Sequence, residues 1–331
     1  MRIICFHLNQ IGDLAFSLPA LKSIRDSLPD AEIHSVVRPG LSDVLASTGL
    51  VHETVCRKSG IDLYKPRLIS RIRHAGYDLA IVFSQSAECA LLSYLSRARE
   101  RIGFINTSFG RLLTKRVDFH HPPSTENNFR LIEAAGIRAT QRDYVGLLKA
   151  SSDMTTQAGR ILSERGISSE DRIVAFAPGT SGRRSVKEWS DEGFAEAGRH
   201  LTAQGIRVVV LGMVPATKII KDCPRIIDLS GATNLGQLVG VLNRCDTLVS
   251  VDSGVLHLAA ALGKRVAGLY GPSNYRITGP QGDGHVVITS KADCSPCVRT
   301  TCDRARVCMT GIEPDAVISA VDSILDRRSE P

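Results

Sequence analysis

No apolar run in this 331-residue chain approaches the roughly 20 residues that a membrane-spanning helix needs. The N-terminus, Met1-Arg2-Ile3-Ile4-Cys5-Phe6, carries neither a basic-then-apolar signal nor a small-residue cleavage site. A cytoplasmic location is therefore expected. Several fingerprints are also missing. There is no G-x-G-x-x-G after a strand pattern, so the dinucleotide signature is absent. There is no G-x-x-x-x-G-K-[ST] for a P-loop kinase and no G-x-S-x-G elbow. Aromatics make up 5% with a single Trp, too few for a platform that stacks single-stranded nucleic acid, so no nucleic-acid partner is expected. Nine cysteines are present, but a cytosolic chain of this length is not expected to use them as a disulfide framework.

What is present is ordinary globular material, 43% hydrophobic and 23% charged, enough for two cores. The net charge of +7 is uneven. Residues 1–150 hold 20 Lys+Arg against 14 Asp+Glu, and residues 151–331 hold 21 against 20. A positive first half favours an anionic partner; plain solubility explains the same numbers.

Strand-like runs at 2–8, 32–38, 51–57 and 78–84 alternate with helical patterns near 17–28, 62–75, 87–96 and 126–136. The rhythm restarts at 172–177, 207–211, 226–229, 247–251, 265–270 and 285–289. Helices are expected between these near 190–204, 214–222, 234–244 and 255–262, and at 313–327, where Pro314 suits a first turn. Such alternation implies parallel βαβ units, and runs such as VVVLG and LVSVD suit strands covered on both faces. A polar stretch near 149–157 marks a boundary. The expected domains are 1–150, 151–311 and a C-terminal helix, 312–331, packing back on the first domain. In doubly wound sheets, ligands gather at the carboxyl ends of strands, so the loops there are read for chemistry.

The first such loop is Asn9-Gln10-Ile11-Gly12-Asp13-Leu14. Pro19 belongs in a helix's first turn, which places the helix start near Ser17 and leaves Asp13 in the loop. Such a carboxylate can take a proton from an attacking hydroxyl; it can equally cap a helix. The second loop runs Ala177-Pro178-Gly179-Thr180-Ser181-Gly182, followed by Arg183, Arg184 and Lys187-Glu188-Trp189. Small residues, hydroxyls and cations together suit a phosphate, against the alternative of a solvated basic loop. The third is Asp252-Ser253-Gly254-Val255-Leu256-His257, leading into an Ala-rich helix. Amides at 253–255 would face an anion above the strand end. His257, one turn in, is read as functional rather than as a buried structural histidine.

Taken together, these loops resemble glycosyltransferase family 9, the bacterial heptosyltransferases of lipopolysaccharide inner-core assembly. The resemblance is carried over the whole chain by Gly12-Asp13-x5-Pro19-Ala20-Leu21, Pro178-Gly179 with Lys187-x-Trp189, Leu229-Ser230-Gly231, Asp252-Ser253-Gly254-x2-His257 and Leu269-Tyr270-Gly271-Pro272. It implies an α/β GT-B fold, two Rossmann-like domains facing a central cleft. The first domain would hold the acceptor and the second a nucleotide-diphosphate sugar, the co-substrate. Transfer would invert the anomeric centre and require neither cofactor nor metal. By position, Asp13 resembles the general base, with Gly12 in the acceptor loop. Thr180, Ser181 and Lys187 resemble diphosphate contacts; Asp252, Ser253, Gly254 and His257 resemble contacts to donor sugar and phosphate. The implied partners are ADP-heptose and an anionic glycolipid acceptor at the inner-membrane surface. Family members commonly carry an acid after the Gly of the second strand of this half, and Gly212-Met213-Val214-Pro215-Ala216-Thr217-Lys218 has none. A different nucleotide sugar is therefore the alternative donor, and a non-catalytic nucleotide- or glycan-binding protein the alternative class.

One motif stands outside this reading. Cys294, Cys297, Cys302 and Cys308 are close enough in sequence for structural zinc. Their spacing is not a paired C-x2-C ladder, and unliganded or redox-variable thiols are the preferred reading.

Overall fold

The computed structural model describes residues 1–8, 10–58, 64–120, 124–180 and 184–327. The chain forms two compact units, Met1–Lys149 and Ala150–Pro331. In the first, β1 (Arg2–His7), α1 (Ile11–Ser27), β2 (Glu32–Val37), α2 (Leu41–Ala46), β3 (Glu53–Cys56), α3 (Tyr64–His74) and β4 (Leu79–Val82) are followed by α4 (Ala87–Leu95), β5 (Glu100–Phe104), β6 (Lys115–Val117) and α5 (Ser124–Ala134). All strand pairs are parallel, in the order β3-β2-β1-β4-β5-β6.

The second unit begins with α6 (Ser152–Ser163), β7 (Ile173–Ala177), α7 (Asp191–Ala203), β8 (Arg207–Val210), α8 (Thr217–Asp222), β9 (Ile227–Asp228) and α9 (Leu235–Arg244). It continues with β10 (Thr247–Val251), α10 (Gly254–Ala261), β11 (Val266–Tyr270), α11 (Tyr275–Thr278), β12 (Val286–Thr289), α12 (Val307–Thr310) and α13 (Pro314–Asp326). Its parallel sheet is ordered β12-β11-β10-β7-β8-β9. Both orders are doubly wound. Each reverses direction once, between β1 and β4 in one unit and between β7 and β10 in the other, and a switch point opens there above the strand ends.

Three local features differ from expectation. Helix α1 starts at Ile11, not near Ser17, and runs through Pro19. Proline removes a helical donor. The acceptor left without its partner is the Ala15 carbonyl, and a contact from outside steadies the same turn, where Asn128 Nδ2 on α5 donates to the neighbouring Phe16 carbonyl at 2.9 Å. The middle of α1 is also buried on every side, so tertiary packing holds a helix that local preference would stop. Strands β5 and β6 were not foreseen, because Glu100, Arg101 and Gly103 interrupt one apolar run and β6 is a three-residue charged edge. The expected linker contains α6, capped where Ser151 Oγ accepts from Met154 N at 3.2 Å. Its apolar stripe is thin, only Met154, Ala158 and Leu162. It nonetheless packs tightly on α9, where a Cβ at Gly240 would overlap the Met154 carbonyl oxygen.

The C-terminal helix contributes to the core of the second unit. Val317, Ala320, Val321, Ile324 and Leu325 of α13 lie in the core of the second unit, with Phe176, Phe194 and Leu201. The helix packs on α7 and on β10, β11 and β12. Its apolar stripe is thereby used up in covering its own unit's sheet.

Candidate functional site

In the first unit, β1 delivers the chain to the switch point. Gln10 N–H donates to Asp13 Oδ2 at 3.2 Å, so the carboxylate closes the first turn of α1 instead of lying in a free loop. Asp13 is exposed and Gly12 half-buried. An acid one turn into a helix is favoured by the helix dipole, and its exposure leaves it open to solvent and ligand. Around the same rim, Arg38 Nε donates to the carbonyl of Leu8 at 2.9 Å. Arg57 grips Glu88 through two hydrogen bonds of 2.8 Å. His7, at the end of β1, is buried with its ring stacked on Phe83 at 4.6 Å and Nδ1 2.7 Å from Ser35 Oγ. Burial pushes its pKa down to about 3, so the ring is neutral.

In the second unit, three of the expected residues converge at the β7/β10 switch point. Asp252 follows the last residue of β10, and Lys187 closes the 3-10 turn Ser185–Lys187 that follows β7. Lys187 Nζ forms an ion pair with Asp252 Oδ2, and both side chains are nearly buried. His257, in the first turn of α10, places Nε2 3.9 Å from Asp252 Oδ1. Burial pushes the His257 pKa down to about 4; the Asp252 charge opposes this, and Lys187 adds to it. The ring is neutral at pH 7, and the charges in the cluster are a buried cation–anion pair.

The remaining predicted residues fall around this cluster. Ser253 is the residue before α10, with Ser250 Oγ 3.1 Å from its Oγ, and Gly254 begins the helix. Thr180 donates from both N (3.3 Å) and Oγ1 (3.4 Å) to Glu188 Oε1. Ser181 lies outside the described residues.

The turn that carries Lys187 is braced from two sides. Trp189 Nε1 donates to the carbonyl of Ile312 at 3.0 Å, and its indole packs edge-on against Phe194 at 5.0 Å. Gly193 is needed there, because any Cβ would overlap the indole. Arg306 Nη1 donates to the carbonyls of Ser185 (3.2 Å) and Glu188 (3.1 Å). Glu188 and Arg306 were missed in the sequence. Glu188 was visible only as the neighbour of Lys187, and Arg306, 118 residues beyond its acceptor Glu188, left no signal.

All nine cysteines are free thiols. Burial raises the pKa of Cys308, and charge on Cys294, Cys297 or Cys302 would raise it further, so the four lie near one another. Among the described residues, no three His, Cys, Asp or Glu side chains form a metal-holding group.

An ion pair and a neutral histidine thus lie beside a helix start at the reversal of a doubly wound sheet, the place where such folds gather ligands. The chain is 24% identical over 311 residues to lipooligosaccharide heptosyltransferase 2 of Haemophilus ducreyi, covering 87% of this chain and 88% of that one. Its fold matches the crystal structure of a family 9 glycosyltransferase from Veillonella parvula, with TM-score 0.85 and 22% identity over 98% and 97% of the two chains. It also matches Escherichia coli ADP-heptose lps heptosyltransferase II, with TM-score 0.81 and 22% identity over 99% and 100%. Two doubly wound units in one chain are the GT-B fold that these structures share. Residues 66–307 fit the model of glycosyltransferase family 9 (heptosyltransferase), a span that takes in Lys187, Asp252 and His257, and the chain belongs to that family.

Proposed function

We propose that this protein transfers heptose from ADP-heptose to an inner-core acceptor of lipopolysaccharide, with inversion and without a metal, at the cytoplasmic face of a membrane. In this reading the first unit binds the anionic glycolipid and the second binds the nucleotide sugar. The observation that carries it is the Lys187–Asp252–His257 cluster at the second switch point, in a chain whose relatives are heptosyltransferases by name.

The acceptor hydroxyl loses its proton to Asp13 as its oxygen attacks the anomeric carbon. The bond from that carbon to the β-phosphate oxygen breaks, and ADP leaves with the electron pair. Lys187 and the amides at the start of α10 stabilise the charge that grows on ADP. Fixed donors act most strongly where charge develops. Lys187 is already pre-oriented by Asp252, and neutral His257 can donate a hydrogen bond without adding charge. Thr180 and Ser253 supply hydroxyls to the same phosphates.

The test is transfer by Asp13→Asn. A loss of roughly 10²–10⁴-fold is expected, the range for a general base, with ADP binding unchanged. Full turnover in that variant would remove Asp13 from the role. Activity should survive extensive chelation; loss that returns only with an added metal would overturn the metal-free mechanism.

A second donor remains a specific reading. The loop after β8 has no acid to hold a ribose, and Met213 and Val214 are exposed there. The nearby carboxylate, Asp228, is occupied by Ala216 N (3.0 Å) and Ser230 N (2.8 Å). Thermal shifts with ADP, UDP, GDP and CMP separate the readings. A nucleotide at about 100 times its Kd should stabilise the protein by roughly 2.7 kcal/mol. If ADP fails and another succeeds, the donor changes and the fold assignment stands.

A further inference from the structure

Exposed apolar side chains are not evenly spread. Of the eleven large hydrophobic side chains exposed among the described residues, Leu91, Tyr94, Ile105, Phe109 and Phe119 all come from residues 91–119 of the first unit. That stretch also holds Arg97, Arg99, Arg101, Arg111, Lys115 and Arg116 against only Glu100 and Asp118. Its surplus of four is more than half of the chain's +7.

The stretch folds into one neighbourhood. Leu91 and Tyr94 are one turn apart on α4, which packs on the 3-10 turn Gly110–Leu112. Arg101 joins the two elements. Its guanidinium carbon lies 5.7 Å from the centroid of the Tyr94 ring, and its Nε donates to the carbonyl of Leu112 at 2.9 Å. A Cβ at Gly110 would come within 3.0 Å of the Ile105 carbonyl, so Ile105 adjoins the same turn. Beside them runs β6, the edge strand. Lys115 is held by Glu100 at 2.5 Å. Arg97, Arg111 and Arg116 are exposed and, among the described residues, form no ion pair.

Edge protection accounts for charges on β6, and single exposed apolar residues need no explanation. Neither accounts for Tyr94 (50% exposed), Ile105 (47%) and Phe109 (46%) standing among uncompensated arginines. We propose that this face of the first unit docks on an anionic lipid bilayer. The rings and aliphatic side chains would enter the headgroup layer while the arginines meet its negative surface potential. The proposal deepens the preceding reading and rests on its lipid-borne acceptor.

The test is sedimentation of the full chain with vesicles of phosphatidylcholine, with and without phosphatidylglycerol. Binding is expected only with the anionic lipid and should weaken with salt. Each arginine near such a surface is worth about fivefold in partitioning, so R111Q/R116Q should lose about 25-fold. Y94S/F109S should lose at least about tenfold. Both variants should keep the Tm of the parent and its shift with ADP. No binding to anionic vesicles, or equal binding by the variants, overturns the proposal. A dimer that the variants dissolve, with vesicles ignored by the parent, overturns it too and gives the face to a second copy. Vesicle binding as expected with no effect of ADP upholds the docking face and removes only the ADP-heptose reading.

Discussion

The pair Lys187–Asp252 is nearly buried, and its two charges depend on each other. Removing one partner strands the other, which typically costs 3–5 kcal/mol. Asp252→Asn is therefore expected to lower the unfolding free energy by about 3 kcal/mol, read by urea denaturation of the ligand-free protein. Adding Lys187→Met should return most of that loss. A residue that only touched the donor would leave ligand-free stability unchanged. His257 makes a second prediction. Its folded pKa, about 4, lies below the ordinary 6.5, so the unfolded chain binds the proton more readily between those values. Stability is complete above about pH 6.5 and is lost as pH falls toward 4, by about 3 kcal/mol for this group. His7, pushed down to about 3 by burial, steepens the same slope. His257→Asn should flatten the fall in Tm between pH 6.5 and 5, and an unchanged slope would place the titration elsewhere. Asp252 and His257 were legible in the sequence because an acid, a turn and a histidine follow an unbroken apolar strand. Their mutual geometry with Lys187 was not, since 65 residues separate the two ends of the ion pair.

At the scale of elements, the packing of the second unit depends on how closely helices approach. Gly240 lets α9 lie against the backbone of α6. Gly240→Ala sets a methyl group against a carbonyl that cannot rotate away, and overpacking of this kind costs about 1–3 kcal/mol. A Tm equal to the parent's would show that the helices separate freely. Arg306 acts differently, since it clasps the outside of the turn that carries Lys187. Arg306→Ala should raise the KM for the donor several-fold with little change in Tm. The long buried strands and their loops could be read from the sequence because each apolar run is bounded by a turn. Helix α1 could not, because Pro19 argues locally for a later start and only the burial of its middle turns shows why the helix continues. Helix α6 was hidden by a stripe of one apolar residue per turn, and β6 by its length and charge.

At the scale of the whole molecule, the two sheets have separate cores, and the proposed function gives the donor to the second alone. ADP alone should slow hydrogen exchange in the segments after β7 and β10 and leave the start of α1 unchanged. Protection at α1 by ADP alone would move the donor to the other unit. The order of the fold along the chain was readable from the repeated strand–helix rhythm. The home of α13 was not, because a single amphipathic helix fits either sheet until the cores are seen. Its true home has a consequence for synthesis. Domains emerging from a ribosome fold in order, N-terminal first, so the first unit can be complete while the second is still being made. The brace on Lys187 comes late, because Trp189 waits for the carbonyl of Ile312, the turn waits for Arg306, and the sheet waits for α13. A chain cut short before residue 306 would hold the first unit with Asp13 in the first turn of α1, and a Lys187 turn without its two braces. Both braces of the Lys187 turn thus form only after residue 312 has been made, well behind the first unit.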